Sequence, residues 1–436
     1  IKNYKAAYAR LVDFNSQHSK EQGFLSHDNI YDACKENFSK IPGSPVAYWT
    51  SENFLRIFQH EDIYANSVSA SQNVTGNNAK YLRYFWEVEN NRINKDIKWI
   101  FYAKGGGFRK WNGNMINIIN WTPEAREEYR TGHGSQIVPE NYWYKKGITW
   151  GLITSNIPSF RELPIDSTFD KGGSSIFIND DTKYNYILGL LNSKVFLSVV
   201  KMFNPTLNFQ VKDIRSMPLI IDKKEIVNNL VIESCSISKS DWDSYETSWD
   251  FKKNPLLNGS NKKVESAFER WQKECDERFN RLKSNEEEIN RIFIDIYGLQ
   301  DELNQNVDYK DVTVSKADVQ RDIKNFISYA VGCMFGRYSL DTEGLAYAGG
   351  EWDEGKYTTF IPDQDNCILI VDEEYFEDDI VGRFVEFVKC VYGAENLEEN
   401  LDFIAKALGN KENTSREIIR NYFLNDFFKD HCSTYS

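Results

Sequence analysis

The sequence predicts an α+β protein: a sheet-rich domain, then a long helical spacer, then a mainly helical, acidic C-terminal domain. Three observations carry that expectation. Between residues 63 and 220, short apolar or alternating runs are separated by Gly- and Asn-rich turns. From Val264 to Tyr297, apolar residues recur at spacings of three, four or seven. Charge is divided unevenly: residues 1–220 hold 26 Lys and Arg against 21 Asp and Glu, and residues 221–436 hold 26 against 44. The front is thus slightly cationic at +5, the back strongly anionic at −18, and the whole chain −13. At roughly 100–200 residues per domain, a chain of 436 residues has room for two or three.

Residues 1–45 read as an N-terminal helical segment. The opening IKNYKAAYARLVDFNS reads as a plain helix without a signal-peptide layout, and a start on Ile1 rather than Met suggests a cut or engineered boundary. Pro42, Gly43 and Pro45 break the chain, and Ser51 then caps a short amphipathic helix bearing Phe54, Leu55 and Phe58. Over 46–220, strands are expected at KWIFYA (98–103), MINIINW (115–121), GITWGLIT (147–154) and SSIFIN (174–179), in a twisted, mainly antiparallel sheet. A helix is expected from Tyr184 to Val200, where Ile187, Leu190, Leu191, Val195 and Leu197 make an apolar stripe. Residues 221–300 read as a connector, to about 263, followed by the long helix that Gly298 stops. Residues 301–436 read as helices, including 322–341 and the stretch after EEYFEDD.

Catalytic signatures are missing from the sequence. There is no GxxxxGK[ST] loop, HExxH or GxSxG, and the five His residues do not pair at metal spacing. Seven cysteines without CxxC spacing suggest free thiols in a reducing cytoplasm. No apolar run approaches the ~18 residues that span a membrane. The expectation is a soluble cytoplasmic chain with no metal site and no catalytic residue of its own. The acidic cluster Glu373, Glu374, Glu377, Asp378 and Asp379 reads as a solvated face rather than a metal site.

Two segments look like ligand-reading loops. In YAKGGGFRKWNGN (102–114), Gly105, Gly106 and Gly107 expose backbone N–H groups of the kind that bind anions. Lys104, Arg109 and Lys110 add positive charge, Trp111 a stacking face, and Asn112 an amide suited to a base edge. An ordinary Gly-rich hairpin with solvated cations explains the same composition. In MFNPTLNFQVKDIRSMPL (202–219), polar Asn204, Thr206, Asn208 and Gln210 alternate with apolar residues at the period of a strand. For Asn204 and Thr206, turn chemistry is the better explanation. Lys145, Lys146, Arg161 and Lys171 are lesser candidates for phosphate contacts, each equally readable as a solvated surface group.

These segments resemble a known family. YWTSENFLRIF, KWIFYAKGGGFRKWNGN, ITWGLITSNIPSFRELP, FNPTLNFQVKDIRSMPLI, EINRIFIDIYGLQDEL and DIKNFISYAVGCMFGRYSLD are similar to the C-terminal half of the PglX family, the adenine-specific DNA methyltransferases of BREX bacteriophage-exclusion systems. The string from Asn204 to Pro218 also resembles the end of target-recognition domains in other adenine methyltransferases, including single-chain restriction–modification enzymes. The resemblance implies a target-recognition domain at 46–220 that reads double-stranded DNA. It also implies an upstream domain, outside this sequence, that binds S-adenosylmethionine and methylates N6 of adenine. The Asn/Asp/Ser-Pro-Pro-aromatic loop of such enzymes is absent here; Asn204-Pro205-Thr206 lacks the second proline and the aromatic. Expected partners are double-stranded DNA, other BREX proteins through the acidic half, and phage DNA-mimic inhibitors.

Overall fold

The computed structural model describes residues 5–154, 157–257, 259, 261–376, 378–409 and 414–435. Its first element corrects the expected opening helix. β1 (Lys5–Ala9) pairs antiparallel with β2 (Ile30–Cys34), with α1 (Gln17–Leu25) between them. Tyr8 stacks on Tyr48 at 4.8 Å and meets Phe38 edge-on at 5.8 Å. Those distant aromatic partners outweigh the modest helix preference of an Ala-rich stretch. α2 (Lys35–Phe38) and α3 (Glu52–Ile57) follow, and Ser51 caps α3 by accepting from the Phe54 N–H.

Two four-stranded sheets make the body of the next unit. α4 (Ile63–Asn66), β3 (Ser67–Val68), α5 (Asn78–Tyr81) and β4 (Leu82–Tyr84) lead into β5 (Trp99–Ala103) and β6 (Asn117–Asn120). After α6 (Pro123–Thr131) come β7 (Gly147–Trp150), β8 (Phe160–Leu163), β9 (Ser167–Phe169) and β10 (Ser175–Ile178). One sheet has the order β3-β10-β7-β8, antiparallel throughout. The other runs β4-β6-β5-β9, and its β5–β9 pair is parallel. All four expected strand runs form strands. β7 is buried at every position because its sheet is covered on both faces.

The single helix expected over 184–200 is two, α7 (Tyr184–Leu191) and α8 (Lys194–Phe203), bent by 75°. Ser193 caps the second by accepting from the Phe196 N–H, and the Asn192 side chain bonds both the N–H and the carbonyl of Phe160. The break thus anchors the helix pair to β8. Among the described residues no single helix is long and apolar enough to cross a membrane. The short α9 (Val211–Arg215) closes this unit.

The expected connector holds a 19-residue helix, α10 (Lys224–Trp242), whose Val227, Val231 and Cys235 are buried. It runs antiparallel to α11 (Val264–Tyr297): Glu233 pairs with Arg281 at 2.6 Å, while Ser240, further along α10, accepts from Arg278, earlier on α11. At 1.5 Å per residue, α11 is about 50 Å long. It is not a free spacer. Its first half, with Val264, Ala267, Trp271 and Cys275, belongs to the core of the helical domain. Its second half, with Phe279, Leu282, Ile289, Ile292 and Phe293, belongs to the core that backs the β7–β8 sheet. Gly298 ends it in the left-handed conformation at φ 65°, which a side chain disfavours.

The helical domain is completed by α12 (Val319–Met334), α13 (Ile380–Tyr392), α14 (Leu397–Leu408), α15 (Ser415–Asn425) and α16 (Phe427–Thr434). Of the acidic cluster, Glu377 lies outside the described residues. Asp379 caps α13 and is buried against Arg420 at 2.7 Å, so it is a structural ion pair rather than part of a solvated face. Among the described residues no group of His, Cys, Asp and Glu is arranged to hold a metal ion.

Candidate nucleic-acid interface

The 102–114 loop divides into an exposed tip and a buried root. Gly106, Gly107 and Phe108 face solvent, and the Asn114 side chain braces the tip by donating to the Gly107 carbonyl at 2.9 Å. Past the tip the chain turns inward. Trp111 N–H donates to the Phe160 carbonyl at 2.8 Å, and Glu162 N–H donates back to the Trp111 carbonyl at 3.0 Å, adding one rung to the β8 edge.

That rung corrects four expected contacts. Arg109 donates to the Asn112 carbonyl at 2.8 Å, the Ser238 carbonyl at 2.7 Å and Asp241 at 3.0 Å. Lys110 pairs with Glu286 at 2.7 Å, and the Trp111 indole N–H donates to the other oxygen of the same carboxylate at 2.7 Å. Arg161 is fully buried, donates to the Gly105 carbonyl, and its pKa is pushed down to about 10 by burial and by the Arg109 charge. A cation taken from water needs a close partner; for Arg109 and Lys110 the carboxylates of α10 and α11 supply one. Arg109, Lys110 and Trp111 therefore bind the sheets to the helices, Arg161 braces the loop root from inside the sheet unit, and all four are withdrawn from the surface. Asn112 is half-buried and lines a cleft of about 490 Å³ with Trp242, Trp249 and Glu162.

The tip has company. The Leu152 N–H donates to the Gly172 carbonyl at 3.0 Å, the Thr154 N–H to the Leu207 carbonyl at 3.0 Å, and the Phe209 N–H to the Leu152 carbonyl at 3.0 Å. A Cβ on Gly151 would lie 3.6 Å from the Gly106 carbonyl. Four segments, 104–108, 151–154, 171–173 and 204–209, thus meet at the end of the sheet where β7 finishes. Glycine makes the crossing possible: a Cβ on Gly105 would lie 2.7 Å from the Gly172 carbonyl, and one on Gly173 would strike that of Ala103. The expected anion-binding role of Gly105 gives way to this close approach, since Gly105 is buried.

The surface of this cluster is cationic and partly apolar. Lys171 is exposed within it and Lys201 and Lys212 are exposed on the adjoining α8 and α9, while the half-buried Lys104 leans on Asp170 at 3.9 Å. Ile153 is 76% exposed, Leu207 51% and Phe108 38%. Asn208 and Gln210 are also exposed here, but the expected strand pattern does not run on past 209: Asn208 makes one bridge, to Ile153, and Gln210 precedes α9, its N–H donating to Asp213 at 3.0 Å. Asn204 and Thr206 satisfy the turn, Thr206 donating through both N–H and Oγ to Asn204 Oδ1 at 3.0 and 2.6 Å. Lys145 and Lys146 sit at the far end of β7, away from the cluster; Lys146 pairs with Glu162 at 3.1 Å. Ile153 and Leu207 carry no motif, and their segments come together only through the fold.

No family model matches the chain. Along its whole length it is 44% identical to the "adenine-specific methyltransferase PglX" of Lacticaseibacillus casei (strain Zhang), of which it covers 39%. Over 99% of its length it is 34% identical to the "adenine-specific methyltransferase BrxX" of Escherichia coli O9:H4 (strain HS), of which it covers 38%. The chain therefore spans less than half the length of these relatives. By sequence it corresponds to the C-terminal part of a PglX-like protein.

Proposed function

We propose that this chain is the DNA-recognition portion of a site-specific adenine-N6 DNA methyltransferase that marks host DNA in BREX-type phage defence. The names of the two relatives support the methyltransferase role. S-adenosylmethionine and the methyl-transfer residues belong, on this reading, to a part of the protein outside this sequence. The observation that carries DNA recognition is the four-segment cluster, where exposed Lys171 is joined by exposed Lys201 and Lys212 of the adjoining α8 and α9 in a chain of net charge −13. The proposed contacts are Lys104, Lys171, Lys201 and Lys212 with phosphates, the Gly106–Gly107 tip with the backbone, and Asn208 and Gln210 with base edges. Lys145 and Lys146 are proposed only as peripheral phosphate contacts.

The test is binding of the folded chain to duplex DNA across a salt titration. Each phosphate contact adds about −0.9 to the slope of log affinity against log salt. Replacing Lys171, Lys201 and Lys212 together by Ala is expected to flatten that slope by about 3. A folded chain with no duplex affinity at low salt would overturn the proposal. The −18 charge of residues 221–436 favours a second reading, a docking scaffold for other defence proteins. Capture of those proteins without any DNA shift is the outcome that selects it.

A further inference from the structure

The cluster contains one element built differently from the others. Segments 151–154 and 207–209 form a short two-stranded ribbon. It is closed by the Thr154-to-Leu207 and Phe209-to-Leu152 hydrogen bonds, both 3.0 Å, with Ile153 directly opposite Asn208. Residues opposed across an antiparallel bridge project to the same face. The ribbon therefore sets an apolar side chain and an amide side by side. Ile153 is 76% exposed, and the Asn208 amide makes no hydrogen bond within the described residues.

The base of the ribbon is tied to buried side chains. The Trp150 indole N–H donates to the Phe209 carbonyl at 2.8 Å from a fully buried ring, and Asn204 Nδ2 donates to the Asn208 carbonyl at 2.9 Å. A protein gains nothing for its own stability by holding an isoleucine in water next to an unused amide. A duplex groove rewards both, because apolar side chains pack on or between bases and an Asn amide matches the edge of adenine. Exposed Lys171 lies one residue from Gly172, whose carbonyl accepts from Leu152, and exposed Lys212 follows Phe209 by three residues; both match the polyanion that surrounds a groove.

We propose that this ribbon is the element that enters the DNA groove, with Asn208 reading a base edge and Ile153 pressing on the neighbouring base step. The inference rests on the DNA-recognition reading above. It goes beyond that reading in naming Ile153 and in separating sequence choice from base-step distortion.

The test selects duplexes from a random library with the chain and with its Asn208→Ala and Ile153→Ser variants. Both substitutions lie on the surface, and unchanged thermal melts check the fold. Asn208→Ala is expected to lose preference at one position of the selected site while its affinity for unselected DNA stays the same. Ile153→Ser is expected to bind the selected duplex about tenfold more weakly. It should recover wild-type affinity on the same duplex carrying an abasic gap, where unstacking is already done. If both variants select the same site with wild-type affinity, the inference is overturned and DNA recognition stands. If the wild-type chain selects nothing at low salt, the DNA-recognition reading fails and takes the inference with it.

Discussion

Lys110 and Lys171 show how little residue type alone says about a lysine's work. Lys110 is 7% exposed and holds Glu286, itself 3% exposed, at 2.7 Å. Lys171 is open to solvent on the loop cluster. Lys110→Met leaves a buried carboxylate with the Trp111 indole as its remaining charge-stabilising donor, so stability should fall by about 3–5 kcal/mol. Denaturant unfolding checks this as a lowered midpoint with unchanged slope. Lys171→Ala should leave that midpoint within about 0.5 kcal/mol of wild type. It should weaken duplex binding uniformly across sequences and lower the salt slope by about 1. If Lys110→Met were neutral for stability but abolished binding, the buried-lock account of the loop root would be wrong.

At the scale of elements, the cluster depends on two backbone segments passing within contact distance. The Gly173 Cα hydrogen points at the Ala103 carbonyl, and no side chain fits there. Gly173→Ala should therefore cost about 1–3 kcal/mol, the usual range for forcing a methyl into a packed site. The strain should separate 104–107 from 171–173 and weaken duplex binding along with stability, measured by unfolding and gel shift on one preparation. Gly107, which has open space around it, is the control for the stability measurement: Gly107→Ala should leave the unfolding midpoint near wild type. α11 matters in a different way. By belonging to both large cores it couples the sheets to the helical domain, so a shift of the sheets has to move that helix.

Over the whole molecule, buried tyrosines set the alkaline limit. Burial pushes Tyr186 up to about 12, and raises Tyr102, Tyr129, Tyr297 and Tyr338 further. An unfolded tyrosine titrates near ~10. A phenol whose folded pKa lies above its unfolded value contributes stability that is fully present below pH ~10 and is lost as pH rises through the folded pKa. Tyr184 is raised for the same reason, burial first; it shares one large core with Tyr186 and Tyr297, and Tyr338 lies in the other, so both cores share the effect. The melting temperature should hold steady up to about pH 10 and then fall steeply. The tyrosinate absorbance at long ultraviolet wavelength should rise together with unfolding rather than before it. Titration of most tyrosines in a still-folded chain would contradict this.

Periodicity and punctuation in the sequence determined much of the architecture. The four strand runs, the 34-residue helix from Val264, the Gly298 stop, the Ser51 cap and the turn chemistry of Asn204 and Thr206 are local effects. Spacing and backbone preference are enough to predict them. The β1–β2 hairpin and the α10 helix were not legible, because distant aromatic contacts hold the first and a shared face with α11 buries the second. The site divides the same way. Composition marked the glycine loop and the Asn208 turn as unusual. Only the tertiary structure turned Arg109, Lys110 and Arg161 inward, where carboxylates or carbonyls of distant segments meet them, and brought unmarked Ile153 to the surface beside Asn208. Whether a cation faces water or a carboxylate depends on which far segment packs beside it, and one-dimensional spacing carries no record of that.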